Sequence, residues 1–267
     1  MIGCHYRRLP PDGDDQLFES TEFTSSNWGI EIQHGSPPLA LLTKAIEELL
    51  ADTPLRIGRL SLDILGAIPV APVRVRAWAE RPGKRISLLV AEMRVAGADG
   101  VGLNSRPVAR VTAWALATSD TTDIASDRYP PLAEGDPRPA PPWFQGIRGY
   151  LETVHWRWQK PGDDEATVSW LSPQLHIVDT EPTTALQRLA LSVDSANGVG
   201  SVLDPERFVF MNTDTVVHLH RLPTGADFGL RARASIGPDG IGVTTAEIFD
   251  RAGFIGASAQ TLLIQRR

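Results

Sequence analysis

From residue 36 to residue 52 the chain reads SPPLALLTKAIEELLAD, with apolar side chains at helical spacing behind Ser36, a residue suited to an N-cap, and prolines suited to a first turn. One long helix is predicted there. The period then drops to two. Residues 59–68, 73–81, 86–96 and 108–118 are alternating or β-branched segments divided by turn chemistry at Pro82-Gly83 and at residues 97–100, Gly-Ala-Asp-Gly. They predict four consecutive antiparallel strands. Between Thr118 and Pro142, Asp, Ser, Pro and Gly crowd together and apolar periodicity disappears, the mark of a linker. Beyond it the order returns: strands near 154–159 and 166–172, a helix from about Thr183 to Asn197, and strands over 208–221, 228–236, 242–250 and 254–265.

The recurrence is anchored at particular residues. Pro69 matches Pro223, Pro82-Gly83 matches Pro238 to Gly240, Asp99-Gly100 matches Asp250 to Gly253, and ARVTAWAL (109–116) matches ASAQTLLI (257–264). Two copies of one unit are expected, residues 1–117 and 143–267, joined by the linker 118–142. In each, a curved antiparallel sheet wraps a helix that is itself the core, so the helix must be apolar around most of its circumference. A carboxylate on it needs explaining, because a buried charge is costly unless hydrogen-bonded.

Length and charge agree with this division. A chain of 267 residues is long for one domain and comfortable for two, and 42% hydrophobic with 22% charged residues is ordinary for a globular protein. The formal charge of −6 offers phosphates no basic field, so nucleic acid is not an expected partner. The N-terminus lacks a basic region followed by an apolar run, and no stretch approaches the roughly 20 apolar residues of a membrane helix. A cytoplasmic protein without a membrane span is expected. The single cysteine, Cys4, can form neither an internal disulfide nor a metal site alone. HGSPP and GASAQ are not a nucleophile elbow, GVGSVL lacks the third glycine of a dinucleotide fingerprint, and there is no P-loop.

Trp28 followed after five residues by HGSPPLALLTKAI, then NTDTVVHLHRLPTG (212–225) and DRAGFIGASAQTLLI (250–264), resemble the acyl-CoA thioesterase II, or TesB-like, family. The resemblance spans both halves. It implies an α+β double hot-dog with one continuous sheet, and hydrolysis of a fatty acyl-CoA to free acid and CoA with no metal or organic cofactor. In the family the second repeat supplies an Asp from its helix, a Thr or Ser from the following strand and a Gln from the last strand, which together activate a water. Carried over, the Asp is Asp194 and the Gln is Gln260. The hydroxyl position falls on Asn212, beside Thr213 and two residues before Asp214, a departure that would remove the hydroxyl.

Thioester hydrolysis asks for a base, a group that fixes the water, and donors for the developing oxyanion. Asp194, Asn212 and Gln260 cover the first two; the competing reading of Asp194 is a cap near Asn197 and Gly198. Matching the repeats puts Thr112 opposite Gln260 and Ala40 opposite Asp194, so the first half lacks the set and is expected to complete the acyl tunnel and the CoA groove. His34 and Gly35 precede a helix N-terminus, where a backbone N–H and the helix dipole polarise a carbonyl; the matching amide of the second half would lie near Pro182 to Ala185. His218 and His220 point the same way on a strand but have no evident third ligand for a metal. His220 and Arg221 are candidate contacts to pantetheine and a CoA phosphate. The acyl chain is expected along the helix between the repeats. Two other readings stand beside hydrolysis: an acyl-CoA-binding protein without turnover, and a hot-dog hydratase or dehydratase using His34, which requires a carboxylate near it. Because pairing of the two sheets is met within one chain, further homo-oligomerisation is optional.

Overall fold

A computed structural model describes residues 3–97, 106–141, 144, 146, 148–159 and 166–267. The first repeat places strands β1 (Cys4–Asp12), β2 (Asp15–Ser20), β3 (Ser25–Ser26) and β4 (Gly29–Gln33) ahead of helix α1 (Ser36–Leu50). After α1 come β5 (Leu55–Ile64), β6 (Pro72–Arg81), β7 (Ile86–Val95) and β8 (Ala109–Ala117). The second repeat holds β9 (Val154–Trp158), β10 (Thr167–Pro173), β11 (His176–Val178), helices α2 (Ala185–Val193) and α3 (Ala196–Gly200), then β12 (Phe208–Asn212), β13 (Asp214–Leu219), β14 (Phe228–Ile236), β15 (Ile241–Asp250) and β16 (Gly253–Arg266).

All strands except β3 and β4 join one 14-stranded sheet in the order β11-β1-β2-β6-β7-β8-β5-β13-β16-β15-β14-β10-β9, with β12 also on β16. The repeats meet at the antiparallel β5–β13 seam, where Thr215 faces Leu62 and Val216 faces Ser61. β11 follows β10 closely in sequence yet pairs in parallel with β1 at the opposite end of the strand order. The sheet therefore curls until its two ends meet. Period-two alternation drives the wrapping: Ala109, Val111, Ala113 and Ala115 of β8 all turn inward and are fully buried. α1 is buried continuously from Ser36 to Ile46 and packs on α2, β6, β7 and β8, as a helix inside a sheet must. This is the double hot-dog arrangement implied by the resemblance.

Three expectations need correction. The predicted Ser36 cap is not one: Gly35 occupies the N-cap position, and the His34 ring caps the turn, its Nδ1 accepting from the Ser36 N–H at 3.1 Å. The helix expected over 183–197 breaks after Val193 and resumes at Ala196, because Ser192, Asp194, Ser195, Asn197 and Gly198 are poor helix formers and Ser195 N–H turns back to Ser192 C=O. The strand expected over 208–221 splits at Thr213 into β12 and β13. Strands β1 to β4 lay outside the sequence reading. The turn at residues 97–100, with its Asp99-Gly100 anchor, and the linker boundary at 142–143 extend beyond the described residues. Among the described residues no helix is long and apolar enough to cross a membrane.

Candidate functional site

The C-terminal end of α2 meets the N-terminal end of α1, so the two helices run antiparallel through the middle of the molecule. Asp194 is the C-cap residue of α2 and only 3% exposed. Its Oδ1 accepts from Thr215 Oγ1 at 2.6 Å and from Asn212 Nδ2 at 2.8 Å. Gln260 Nε2 donates to the Asp194 backbone carbonyl and to Thr215 Oγ1, both at 2.9 Å, and lies 3.5 Å from Oδ1. The Thr215 hydroxyl thus uses its one proton on the carboxylate and a lone pair on the amide, which fixes all three groups relative to one another.

The second carboxylate oxygen faces the other repeat. His34 Nδ1 is 3.5 Å from Asp194 Oδ2, and a Cβ built on Gly35 would lie 2.6 Å from that oxygen. No residue larger than glycine fits at position 35 while Asp194 stays in place. The expected hydratase reading lacked a carboxylate near His34, and Asp194 is that carboxylate. Because Nδ1 accepts the Ser36 N–H, the neutral His34 ring carries its proton on Nε2. Burial lowers the His34 pKa below the ordinary histidine value, partly opposed by the negative charge of Asp194. The Tyr150 ring stacks on His34 at 4.4 Å, and its hydroxyl donates to the Leu191 carbonyl, tying His34 to the last turn of α2.

Asp194, Gln260, Asn212, His34 and Gly35 therefore converge, while the remaining candidates do not join them. Arg221 forks onto Asp250 at 2.7 and 2.6 Å and onto the Gly253 carbonyl, so its guanidinium is committed within the fold. His220 Nε2 is 2.9 Å from the Phe254 carbonyl, its ring stacked on Phe254. The start of α2 lies at the far end of the helix pair, where Thr184 and Gln187 bond Glu47 near the end of α1. No backbone amide near Pro182 to Ala185 can serve Asp194 from there. Thr215 went unnamed in the sequence reading although its signal is present: Thr215, Val217 and Leu219 alternate inward along β13, whereas Asn212 belongs to the separate β12. Among the described residues no group of three or more His, Cys, Asp and Glu side chains could hold a metal ion.

A cavity opens at Asp194 and His34, with Asn212, Asn197 and Ser195 on its polar side and Trp28, Phe144, Trp156, Trp158 and Phe210 on its apolar side. Its empty space is about 550 Å³, including the open mouth.

Comparison with known proteins gives the family and the fold. A family model described as the acyl-CoA thioesterase C-terminal domain matches residues 126–264, and the corresponding N-terminal domain matches residues 24–116. Acyl-CoA thioesterase II TesB2 from Mycobacterium marinum superposes with a TM-score of 0.66 at 13% identity, covering 97% of this chain and 95% of that one. A candidate thioesterase II from Thermobifida fusca YX gives 0.67 at 15%, covering 97% and 95%. A hot dog fold protein of unknown function from Alicyclobacillus acidocaldarius gives 0.70 at 15%, covering 96% and 95%. At such identities these three likenesses establish the fold. No curated protein sequence matches the chain.

Proposed function

The chain belongs to the acyl-CoA thioesterase family and is a thioester hydrolase of the TesB-like, double hot-dog kind, and on that premise we propose that it cleaves acyl-CoA with water activated by Asp194. The observation that carries this reading is the asymmetry of the Asp194 carboxylate: Oδ1 is held by Thr215 and Asn212 while Oδ2 faces the cavity side with His34. Oδ2 takes a proton from water as the water oxygen bonds to the thioester carbon. The carbonyl oxygen becomes an oxyanion, for which the His34 Nε2–H and the N-terminus of α1 are the donors. Collapse restores the carbonyl, breaks the C–S bond and expels the CoA thiolate, which recovers the proton from Asp194. Gln260 and Thr215 act as positioning residues. Gln260 Oε1, buried and without a partner among the described residues, remains an acceptor for water.

The test is release of CoA thiol from a panel of acyl-CoAs by the wild type and Asp194→Asn. General-base assistance contributes about 10² to 10⁴ in rate, so the variant should lose at least about a hundredfold in kcat while keeping its fold. Undiminished turnover by Asp194→Asn would refute the assignment. The 3.5 Å approach of His34 to Asp194 also favours a second reading, hydration of an enoyl thioester. Loss of enoyl absorbance without thiol release would identify that reaction instead.

A further inference from the structure

We infer that Arg207 and Arg266 bind the diphosphate of the CoA substrate beside the Asp194 cavity, an inference that rests on the acyl-CoA reading above. Position and charge carry it independently.

Position follows from strand alternation. In β12, Asn212, Phe210 and Phe208 share one face, and in β16 Gln260, Leu262, Ile264 and Arg266 share the face beside them. Asn212 is opposite Leu262, Phe210 opposite Ile264 and Phe208 opposite Arg266. One end of this double row is the site itself, where Asn212 donates to Asp194 Oδ1 and Gln260 to the Asp194 carbonyl. Its middle, Phe210, is a wall of the cavity, and its far end is Phe208 with Arg266. Arg207 joins that end from the preceding turn, whose Pro205 also lines the cavity. Four steps of strand from Asn212 to Phe208 span about 13 Å. The arm of CoA from thioester sulfur to the first phosphorus is about four residues' worth of extended chain, about 15 Å, and a flexible arginine stem takes up the difference.

The Arg207 guanidinium carbon lies 5.7 Å from the Phe208 ring centroid, and that of Arg266 lies 5.0 Å from the same centroid. The ring gathers two positive groups that repel one another unless an anion neutralises them. Among the described residues neither guanidinium has a carboxylate partner, although Asp204 and Glu206 are close in sequence. Arginines elsewhere in the second repeat are committed: Arg221 forks onto Asp250, Arg157 and Arg251 hold Asp227, and Arg231 pairs with Glu247. In a chain whose 32 acidic residues outnumber its 26 Lys and Arg, this exposed pair keeps its donors for an outside anion, and the planar fork of each guanidinium matches phosphate oxygens.

The experiment compares kcat/KM for the hexanoyl thioesters of CoA, dephospho-CoA and pantetheine in the wild type, Arg207→Gln, Arg266→Gln and the double variant. It is paired with calorimetric binding of free CoA. Pantetheine lacks the diphosphate, whereas dephospho-CoA keeps it and lacks only the 3′-phosphate. The wild type should prefer the CoA thioester to the pantetheine thioester, and the double variant should lose about tenfold or more of that ratio, through KM, for CoA and dephospho-CoA alike. Arg266→Lys, which keeps the charge without the fork, should lose less than Arg266→Gln. A wild type that treats the CoA and pantetheine thioesters alike overturns the inference, as does a ratio unchanged in the double variant, equal loss on all three thioesters included. A loss confined to the 3′-phosphorylated compound also overturns it, because the contact then lies off the diphosphate. If no thioester is cleaved, the hydrolysis reading fails, and CoA binding about tenfold weaker in the double variant still sustains the inference. Equal CoA binding in wild type and double variant, or none in either, overturns it.

Discussion

Thr215 decides how Asp194 is presented. Its hydroxyl makes the shortest bond to Oδ1, 2.6 Å, and is the partner of the buried Gln260 amide at 2.9 Å, whereas the Asn212 amide approaches Oδ1 from the rim of the cavity at 2.8 Å. Removing each should therefore have different consequences. Thr215→Val keeps the shape but strands two buried polar groups, at a cost of about 1–3 kcal/mol in stability, and frees Asp194 to rotate, with an expected fall of about a hundredfold in kcat. Asn212→Ala, on a partly exposed residue, should cost less than about tenfold. Urea titration and thiol release on both variants check this, and the reverse ranking would return the central role to Asn212. Sequence matching found Asp194 and Gln260 because each lies in a short motif, but it slid by three residues on the hydroxyl. The cause is physical. A β-bridge break at Thr213 separates β12 from β13, and a reading that treats 208–221 as one strand loses count of the inward face there. The repeat held the missing information, since β13 and β5 face each other across the seam with Val216 on Ser61 and Thr215 on Leu62, the register of two equivalent strands offset by 154 positions.

At the scale of elements, the corner where β13, β15 and β16 meet is held by one buried carboxylate. Asp250, whose side chain is 0% exposed, accepts from both arms of the Arg221 fork, from the Thr224 N–H and hydroxyl at 2.9 Å, and from the Ala252 N–H at 2.8 Å. Burial by itself would raise its pKa; the Arg221 and Thr224 bonds overcome this and hold it at about 2. A depressed carboxylate contributes stability above its ordinary pKa and loses it as pH falls toward about 2, here about 2 kcal/mol in all. Arg221 was expected on a CoA phosphate from its place after a strand, and such an exposed-looking Arg cannot be told from a structural one until its carboxylate partner, 29 residues away, is located. The two roles separate cleanly. Arg221→Ala should lower stability by about 2–3 kcal/mol with KM for an acyl-CoA within about twofold of wild type. A KM rise of about tenfold at unchanged Tm would instead assign Arg221 to the ligand. The helix–meander order of both repeats was legible because period and turn residues agree locally. Strands β1 and β2 were not, because β1 earns its place through a parallel pairing with β11, some 170 residues away, that no local pattern encodes.

For the molecule as a whole, that same pairing makes closure of the sheet sensitive to acid. His5 lies in β1, is 0% exposed, stands 3.1 Å from the Phe23 carbonyl through Nδ1, and has no partner for Nε2 among the described residues. Burial lowers its pKa from the ordinary 6.5 to about 4, the Phe23 bond only partly opposing the shift. Between these values the unfolded chain binds a proton that the folded one refuses, so stability rises with pH across the window and falls as pH drops from about 6.5 to about 4. The loss amounts to about 3 kcal/mol, a large part of the stability of an ordinary domain. His34 shifts in the same direction and adds to the slope, while Asp250 acts only further into acid. Urea unfolding at intervals between pH 7 and pH 4.5 should show this decline, and His5→Gln, which has no proton to take up, should flatten it without abolishing it. The comparison to make is of slopes, because the substitution changes the packing of β1 at every pH alike. An unchanged slope in His5→Gln would place the acid sensitivity in the site at His34 rather than in the closure of the sheet, and acid would then be expected to extinguish activity before it unfolds the protein.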